Sequence, residues 1–403
     1  LFQTLDLLNP DAILGLMAKF RADPHPDKVD LGVGVYRNLA GDTPVLDCVR
    51  RAERIVLDAQ ATKSYVSAAG REEFNAAVEE WVLGAGHPAR RDLRVRTVQA
   101  PGGCGALRVG AELIRAATPG ATVHVSDPTW GNHVPLLGSS GLRLLRYPYY
   151  DPAAHALTFD AMLERLEQAP SGDVVLVHAC CHNPTGADLT PTQWDSLIAL
   201  LLRRRLVPYL DLAYQGFGED LAADVAGVRA VAAAIPEMLI AVSYSKNLGL
   251  YRERVGALIV VGENPKRADA VRSHVLQIAR SIYSMPPDHG AAIAACIFAD
   301  PDLTRSWLAE LAEMRGRIQA MRGLLAAELG AACGDDSFDF LRAQRGMFSL
   351  LGVTPAVVER LREHHHIYMT TDSRMNLAGI MPDNAAYVAA SVVAARSALA
   401  RVA

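Results

Sequence analysis

Five short apolar runs set the frame of this 403-residue chain: Ala121 to Ser126, Val174 to His178, Val207 to Leu212, Leu239 to Ser243 and Gly256 to Val261. Each has strand length, and helix-length amphipathic segments separate them. Runs that are apolar throughout, rather than alternating, suit strands buried on both faces. The expectation is an α/β fold, a mostly parallel sheet covered by helices on both sides. One connecting helix is legible from Thr192 to Arg204, because Thr190-Pro191 puts a capping hydroxyl ahead of a proline in the first turn. From Asp302 a helical run with few breakers reaches Leu329, long enough to bridge two domains. Beyond it, Phe338 to Leu341, Met347 to Leu350 and Ile367 to Thr370 read as short strands alternating with helices, a second and smaller α/β domain.

The chemistry concentrates around Lys246, in Ser243-Tyr244-Ser245-Lys246-Asn247, with Arg254 eight residues on and Asp211 and Asn183 upstream. An amine attacks an aldehyde only when neutral, so a Schiff-base lysine needs burial or a nearby positive charge to lower its pKa. Arg254 can supply that charge. Asp211 ends a strand-like run, so its carboxylate faces a crevice at the strand's carboxyl end. There it can pair with the ring nitrogen of pyridoxal phosphate, whose protonated ring is an electron sink. Tyr214, three residues on, could reach the ring's phenolic oxygen. The stretch Ala100-Pro101-Gly102-Gly103-Cys104-Gly105 offers backbone N–H groups and a helix start to a phosphate. It lacks the third glycine of the dinucleotide fingerprint. Taken singly, a lysine in a Ser/Tyr-rich loop is ordinarily solvated, and a lone arginine is ordinarily a surface salt-bridge partner.

Four strings, in order, change that: Cys180-Cys181-His182-Asn183-Pro184-Thr185-Gly186, Asp211-Leu212-Ala213-Tyr214-Gln215-Gly216-Phe217, Ser243 to Asn247, and Arg374-Met375-Asn376-Leu377-Ala378-Gly379. With them the chain resembles the class I, fold-type I aminotransferases of the aspartate and aromatic amino-acid branch, from about Asp11 to near the C-terminus. The resemblance implies a homodimer with shared active sites, pyridoxal 5′-phosphate as cofactor, and amino acids and 2-oxo acids as substrates. It implies a large cofactor-binding domain over residues 40–312 with a seven-stranded sheet, a small domain from 11–39 and 313–403, and an N-terminal arm over 1–10. Lys246 would bind the cofactor and move the substrate proton. Asp211, backed by His133, would pair with the ring nitrogen. Asn183 and Tyr214 would bond the phenolic oxygen, and Trp130 would stack on the ring. Gly102, Gly103, Cys104, Ser243 and Arg254 would cradle the phosphate, with Tyr65 reaching it from the neighbouring subunit. Arg374 would grip the substrate α-carboxylate in a bidentate fork, for which arginine suits better than lysine. Arg280 would meet a distal carboxylate across the dimer interface, and Gly34 would lie on a mobile segment over the substrate. The family carries cis bonds at the places of Asp127-Pro128 and Asn183-Pro184, although only about one X-Pro bond in twenty is cis in folded proteins.

Some positions depart from the family pattern. Cys104 stands where Thr or Ser usually donates a hydroxyl to the phosphate, so that bond weakens. Met285 replaces a small polar residue near the substrate's distal end, and a flexible thioether adapts to apolar rings. Val35-Tyr36-Arg37 and Thr43 resemble aspartate-preferring members, whereas Phe2-Gln3, Gly186-Ala187-Asp188-Leu189-Thr190 and Ser306 to Glu310 lean to the aromatic side. The expectation is dual activity; a strict aspartate aminotransferase is the alternative. Other reactions on the same cofactor, β-decarboxylation or elimination, and a non-catalytic amino-acid or cofactor binder are the rivals.

A formal charge of −4 gives no reason to expect nucleic acid or an anionic membrane as partner. No apolar run approaches the ~18 residues that span a bilayer, and no basic segment followed by an apolar one opens the chain. The six cysteines are scattered, and the adjacent Cys180 and Cys181 are not expected to bridge each other. These readings point to a reducing, cytoplasmic setting. No metal is expected: the cysteines show no ligand spacing, and consecutive residues in His364-His365-His366 would point apart on a helix.

Overall fold

The structure is a computed structural model that describes residues 1–7 and 12–400. Its main sheet has seven strands: β1 (Val95–Pro101), β2 (Thr122–Asp127), β3 (Arg143–Pro148), β4 (Val174–His178), β5 (Val207–Leu212), β6 (Met238–Ser243) and β7 (Val255–Val261). Their order across the sheet is β1-β7-β6-β5-β4-β2-β3. Only β7 runs against its neighbours, antiparallel to both β1 and β6. The five apolar runs are thus strands, displaced by no more than one residue at either end.

Alternation along β5 shows how the sheet holds two layers together. Leu210 and Leu212 belong to the apolar cluster on one face, and Tyr209 belongs to the cluster on the other. Burying each such leucine contributes roughly 1.5–3 kcal/mol. The Tyr209 hydroxyl donates to the carbonyls of Ala106 and Leu107, both 3.1 Å away, on the helix Gly102–Ala117. That approach requires Gly110, where a Cβ would lie 2.1 Å from the hydroxyl. The helix is thereby pressed onto the sheet with its first turn at the crevice.

The expected connecting helix is Pro191–Arg204, and Thr190 and Gln193 close a reciprocal capping box at its start. The long helix is Pro301–Cys333, capped by the Asp300 carboxylate and stopped by Gly334 in the left-handed region. It runs four residues past the expected end. Its Trp307 indole donates to the Asn247 carbonyl at 2.7 Å, next to Lys246.

The chain's two terminal parts meet. Val29–Asp30 pairs in parallel with Ile367–Tyr368, and the Asn376 amide donates to the carbonyls of Val33 and Val35 at 2.6 and 2.8 Å. Met347 to Leu350 is the strand Phe348–Leu350, paired with Arg374–Asn376. Phe338 to Leu341 is no strand: a helical turn covers Phe340–Ala343. Periodicity cannot separate such a short apolar run from a buried helical turn. Of the expected arm over 1–10, residues 8–10 lie outside the described residues, as does Asp11. No helix among the described residues is long and apolar enough to cross a membrane.

Candidate active site

Parallel strands aim their carboxyl ends at one crevice. His178 closes β4, Asp211 sits one residue before the end of β5, and the two are register partners. Ser243 closes β6, and Lys246 follows in the next turn. The crevice holds a cavity of about 220 Å³ lined by Lys246, Asp211, Asn183, Tyr214, Trp130 and Arg374, and also by Gly34, Gly103, Cys104, Ser243 and Arg254. His133 lies directly behind Asp211. Tyr65 and Arg280 are not brought to it: both are exposed, Tyr65 at 89% of its surface, and Arg280 bonds the Ser284 hydroxyl.

Burial lowers the pKa of Lys246, Arg254 works the same way, and Asp211 and Cys104 oppose them. The ammonium sits 4.9 Å from the centre of the Tyr214 ring. Burial also works against an ionised Asp211, but the His133 bond, with the electrostatic pull of His133 and Lys246, outweighs it and holds the carboxyl below its usual range. The bond runs from His133 Nε2 to Asp211 Oδ2 at 3.1 Å. It continues from His133 Nδ1 to Thr129 Oγ1 at 2.8 Å and on to His178 Nε2 at 3.4 Å. Burial depresses His178 to about 3, with His133 adding to it, so its ring is neutral. Burial pushes the Tyr214 phenol up.

At the opposite end the helix Gly102–Ala117 begins without a side-chain cap, which leaves its first N–H groups to meet an anion. Gly102 has φ +70, and a Cβ there would lie 2.6 Å from an Arg254 guanidinium nitrogen, so glycine lets backbone and cation share one concavity. Arg254 donates to the Tyr251 carbonyl at 2.9 Å and to Ser245 Oγ at 3.4 Å. Cys104 is half-buried beside them, its sulfur 3.9 Å from the Asn132 amide.

Above the crevice, Arg374 lies 4.4 Å over the Phe348 ring. It donates to the Gly32 carbonyl at 2.8 Å and to Asn183 Oδ1 at 3.3 Å. With Oδ1 turned to Arg374, Nδ2 is the atom with which Asn183 can donate into the cavity. Both Asp127-Pro128 and Asn183-Pro184 are cis.

Sequence reasoning missed His178, Phe348, Tyr251, Cys180 and Ile13, which also line the cavity. For His178 the sequence offered only its place at the end of an apolar run; the register of the two strands puts it beside Asp211. No spacing rule pointed to ligand clusters, yet His133, His178 and Asp211, and separately Cys180, Cys181 and Asp224, offer ligand-type atoms within 4.8 Å of one another. The first set is occupied by its own hydrogen bonds. In the second, Asp224 accepts the N–H groups of Gly216, Gly218 and Glu219. All six cysteines are free.

A buried lysine drawn toward neutrality, an ionised carboxylate behind it and an uncapped helix start beside an arginine define an α/β enzyme with a lysine-centred, anion-accepting site. The model of the family "Aminotransferase class I and II" matches residues 26–392. The aromatic-amino-acid aminotransferase of Paracoccus denitrificans is 43% identical over 384 residues, 95% of this chain and 97% of its own. The aspartate aminotransferase of Escherichia coli (strain K12) is 43% identical over 394 residues, 98% of this chain and 100% of its own. Among solved structures, the aromatic-amino-acid aminotransferase from Burkholderia pseudomallei, covalently bound to pyridoxal phosphate, superposes with a TM-score of 0.95 at 44% identity, covering 98% of this chain and 99% of that one. The chain belongs to the class I and II aminotransferases.

Proposed function

We propose that this aminotransferase uses pyridoxal 5′-phosphate to move the amino group of aromatic amino acids and aspartate to 2-oxoglutarate in a ping-pong cycle. The observation that carries the reading is one cavity holding both Lys246, drawn toward its neutral form, and Asp211, held ionised. The residues fit the cofactor on physical grounds. Arg254 packs against Gly102, where a Cβ would meet its guanidinium, and this pairing of a cation with the uncapped helix N–H groups suits a phosphate. The ionised Asp211 suits a protonated ring nitrogen, and Trp130 borders the space between them.

When bound, the cofactor supplies a conjugated ring that takes up the electron pair left on the substrate α-carbon. Lys246 would hold the cofactor through Nζ and would serve as the group that takes up and returns the substrate α-proton. Asp211 would keep the ring nitrogen protonated, and the His133–Thr129–His178 run keeps Asp211 oriented. Asn183 Nδ2 and the Tyr214 hydroxyl would donate to the phenolic oxygen. Arg374 receives the substrate α-carboxylate, and the Phe348 ring beneath its guanidinium limits its tilt.

The reading extends to a homodimer. The exposure of Tyr65 and Arg280, with that of Leu1, Phe2, Leu5 and Leu7, supports contact with a second copy. Tyr65 then reaches the partner's phosphate, and Arg280 a distal carboxylate. Residues 11–39 and 313–403 act as the smaller domain that closes over the substrate. For substrate choice, Met285 Sδ accepts the Val66 N–H at 3.3 Å and so borders the Tyr65 segment with an apolar, adaptable group.

Lys246→Ala tests the core of this reading. Steady-state transamination is expected to fall by on the order of 10²–10⁴-fold, the contribution of a positioned acid–base group. A variant turning over near the parent rate would remove Lys246 from its role. Near-ultraviolet absorption of the parent should convert from the aldehyde to the amine form of the cofactor with both aspartate and phenylalanine. Conversion by aspartate alone would make it a strict aspartate enzyme.

A further inference from the structure

Asn183 can bond a cofactor oxygen only if the loop between β4 and the helix Pro191–Arg204 holds it still. Three consecutive backbone N–H groups of that loop are taken by side chains. Asn183 donates to His178 Nδ1 at 3.1 Å. The two before it, Cys181 and His182, donate to the two oxygens of one carboxylate: Cys181 to Asp188 Oδ2 at 2.7 Å, His182 to Asp188 Oδ1 at 2.8 Å. Cys181 has φ +51, a left-handed conformation that a non-glycine residue keeps only when its surroundings enforce it. The turn it makes presents successive N–H groups to one anion, the arrangement by which backbone concavities hold negative charge.

Asp188 is not among the residues that line the active-site cavity. It opens on a second cavity of about 460 Å³, which it shares with Asp195, Glu219, Asp224 and Arg345. Burial pushes it up to about 6, against the two N–H groups and Arg345 and with help from Asp224. Its place in the Gly186 to Thr190 string has no role in the chemistry above.

We propose that Asp188 is a positioning residue: its carboxylate clamps Cys181 and His182 and thereby sets the donor geometry of Asn183 toward the cofactor's phenolic oxygen. The inference rests on the role given to Asn183 under the proposed function. An isosteric amide cannot replace the clamp, because Asn has one acceptor oxygen and would turn its NH₂ toward a backbone N–H. The loop would then relax at Cys181, and the neighbouring Asn183 would lose aim without loss of any group that contacts the cofactor.

The test is a pH titration of near-ultraviolet absorbance on holoprotein reconstituted with pyridoxal phosphate, for the parent, Asn183→Ala, Asp188→Asn and the double variant. Loss of a donor to the phenolic oxygen destabilises its charged form, so Asn183→Ala should titrate higher, by on the order of half to one pH unit for one hydrogen bond. Asp188→Asn should shift the same way, and the double variant should move no further than Asn183→Ala alone. Parental titration of Asp188→Asn, or a shift in the double equal to the sum of the singles, would overturn the clamp. If Asn183→Ala itself titrates like the parent, the clamp has nothing to aim and falls with it. A parent that forms no cofactor chromophore would instead sink the proposed function. Should Asp188→Asn not fold, Asp188→Glu keeps both acceptor oxygens and displaces them by a methylene; a smaller upward shift supports the clamp and none overturns it.

Discussion

At the Asp211 end of the cavity, carboxylate, imidazole, hydroxyl and second imidazole follow one another as a single hydrogen-bonded file, with both imidazoles buried. At the Gly102–Cys104 end, helix N–H groups, the Arg254 guanidinium and the half-buried Cys104 surround an open concavity side by side. The file is a series arrangement: each member depends on the next, and a missing member leaves a buried polar group without a partner. The concavity is a parallel arrangement, in which several donors share one anion and the loss of one is partly made up by the others. One pocket therefore contains a brittle end and a tolerant end.

The sharpest way to break this contrast is Asp211→Ala. Removing one fixed electrostatic stabiliser aimed at developing charge costs on the order of 10²–10³-fold in turnover, and cofactor should still bind through the phosphate end. Steady-state rates together with equilibrium dialysis of pyridoxal phosphate separate the two effects. A variant that loses cofactor binding as completely as turnover would show that the two ends are not independent.

The brittle end should also govern acid sensitivity. His178 is held neutral in the fold, depressed to about 3, whereas the unfolded chain takes up a proton there as pH falls through about 6.5. Between those values the unfolded state binds more protons, so this group makes stability fall as pH falls. The groups facing it are His133, Asp211 and His182, together with the Thr129 hydroxyl. Replacing it by glutamine, which does not titrate, should flatten the dependence of urea midpoint on pH between about 6 and 4 relative to the parent. An unchanged slope would mean that other groups carry the acid response.

The two ends also differed in how far the sequence announced them. The glycines of Gly102-Gly103, Asp211 near the end of its strand and the ordered strings around Asn183, Lys246 and Arg374 lie within short stretches whose residue types are themselves chemical, and all of these residues but Gly102 line the cavity. His178 was not announced, because a histidine closing an apolar run reads as core. Only the β4–β5 register sets it beside Asp211, and register is a property of two strands. The Asp188 clamp was hidden for a related reason: it depends on a left-handed turn at Cys181, which a cysteine does not advertise. Phe338 to Leu341 went the other way, because its four residues carry too little period to choose between strand and helical turn.

The smallest expected effect sharpens the comparison most, because it asks whether the tolerant end is also improvable. Cys104 is the third residue of the helix Gly102–Ala117, and its thiol is a poor donor where a hydroxyl would bond a phosphate oxygen well. Cys104→Thr adds that donor without disturbing Arg254, Ser243 or the glycines. One more hydrogen bond to a charged acceptor is worth about 1.5 kcal/mol at its modest end, or roughly tenfold in affinity. A parallel arrangement should return less than that, because the phosphate's oxygens already have partners among the helix N–H groups and Arg254. Equilibrium dialysis is therefore expected to give a dissociation constant several-fold lower for Cys104→Thr, with turnover of the saturated enzyme unchanged. A gain of a hundredfold or more would mean that the phosphate end is short of donors and as brittle as the file around Asp211.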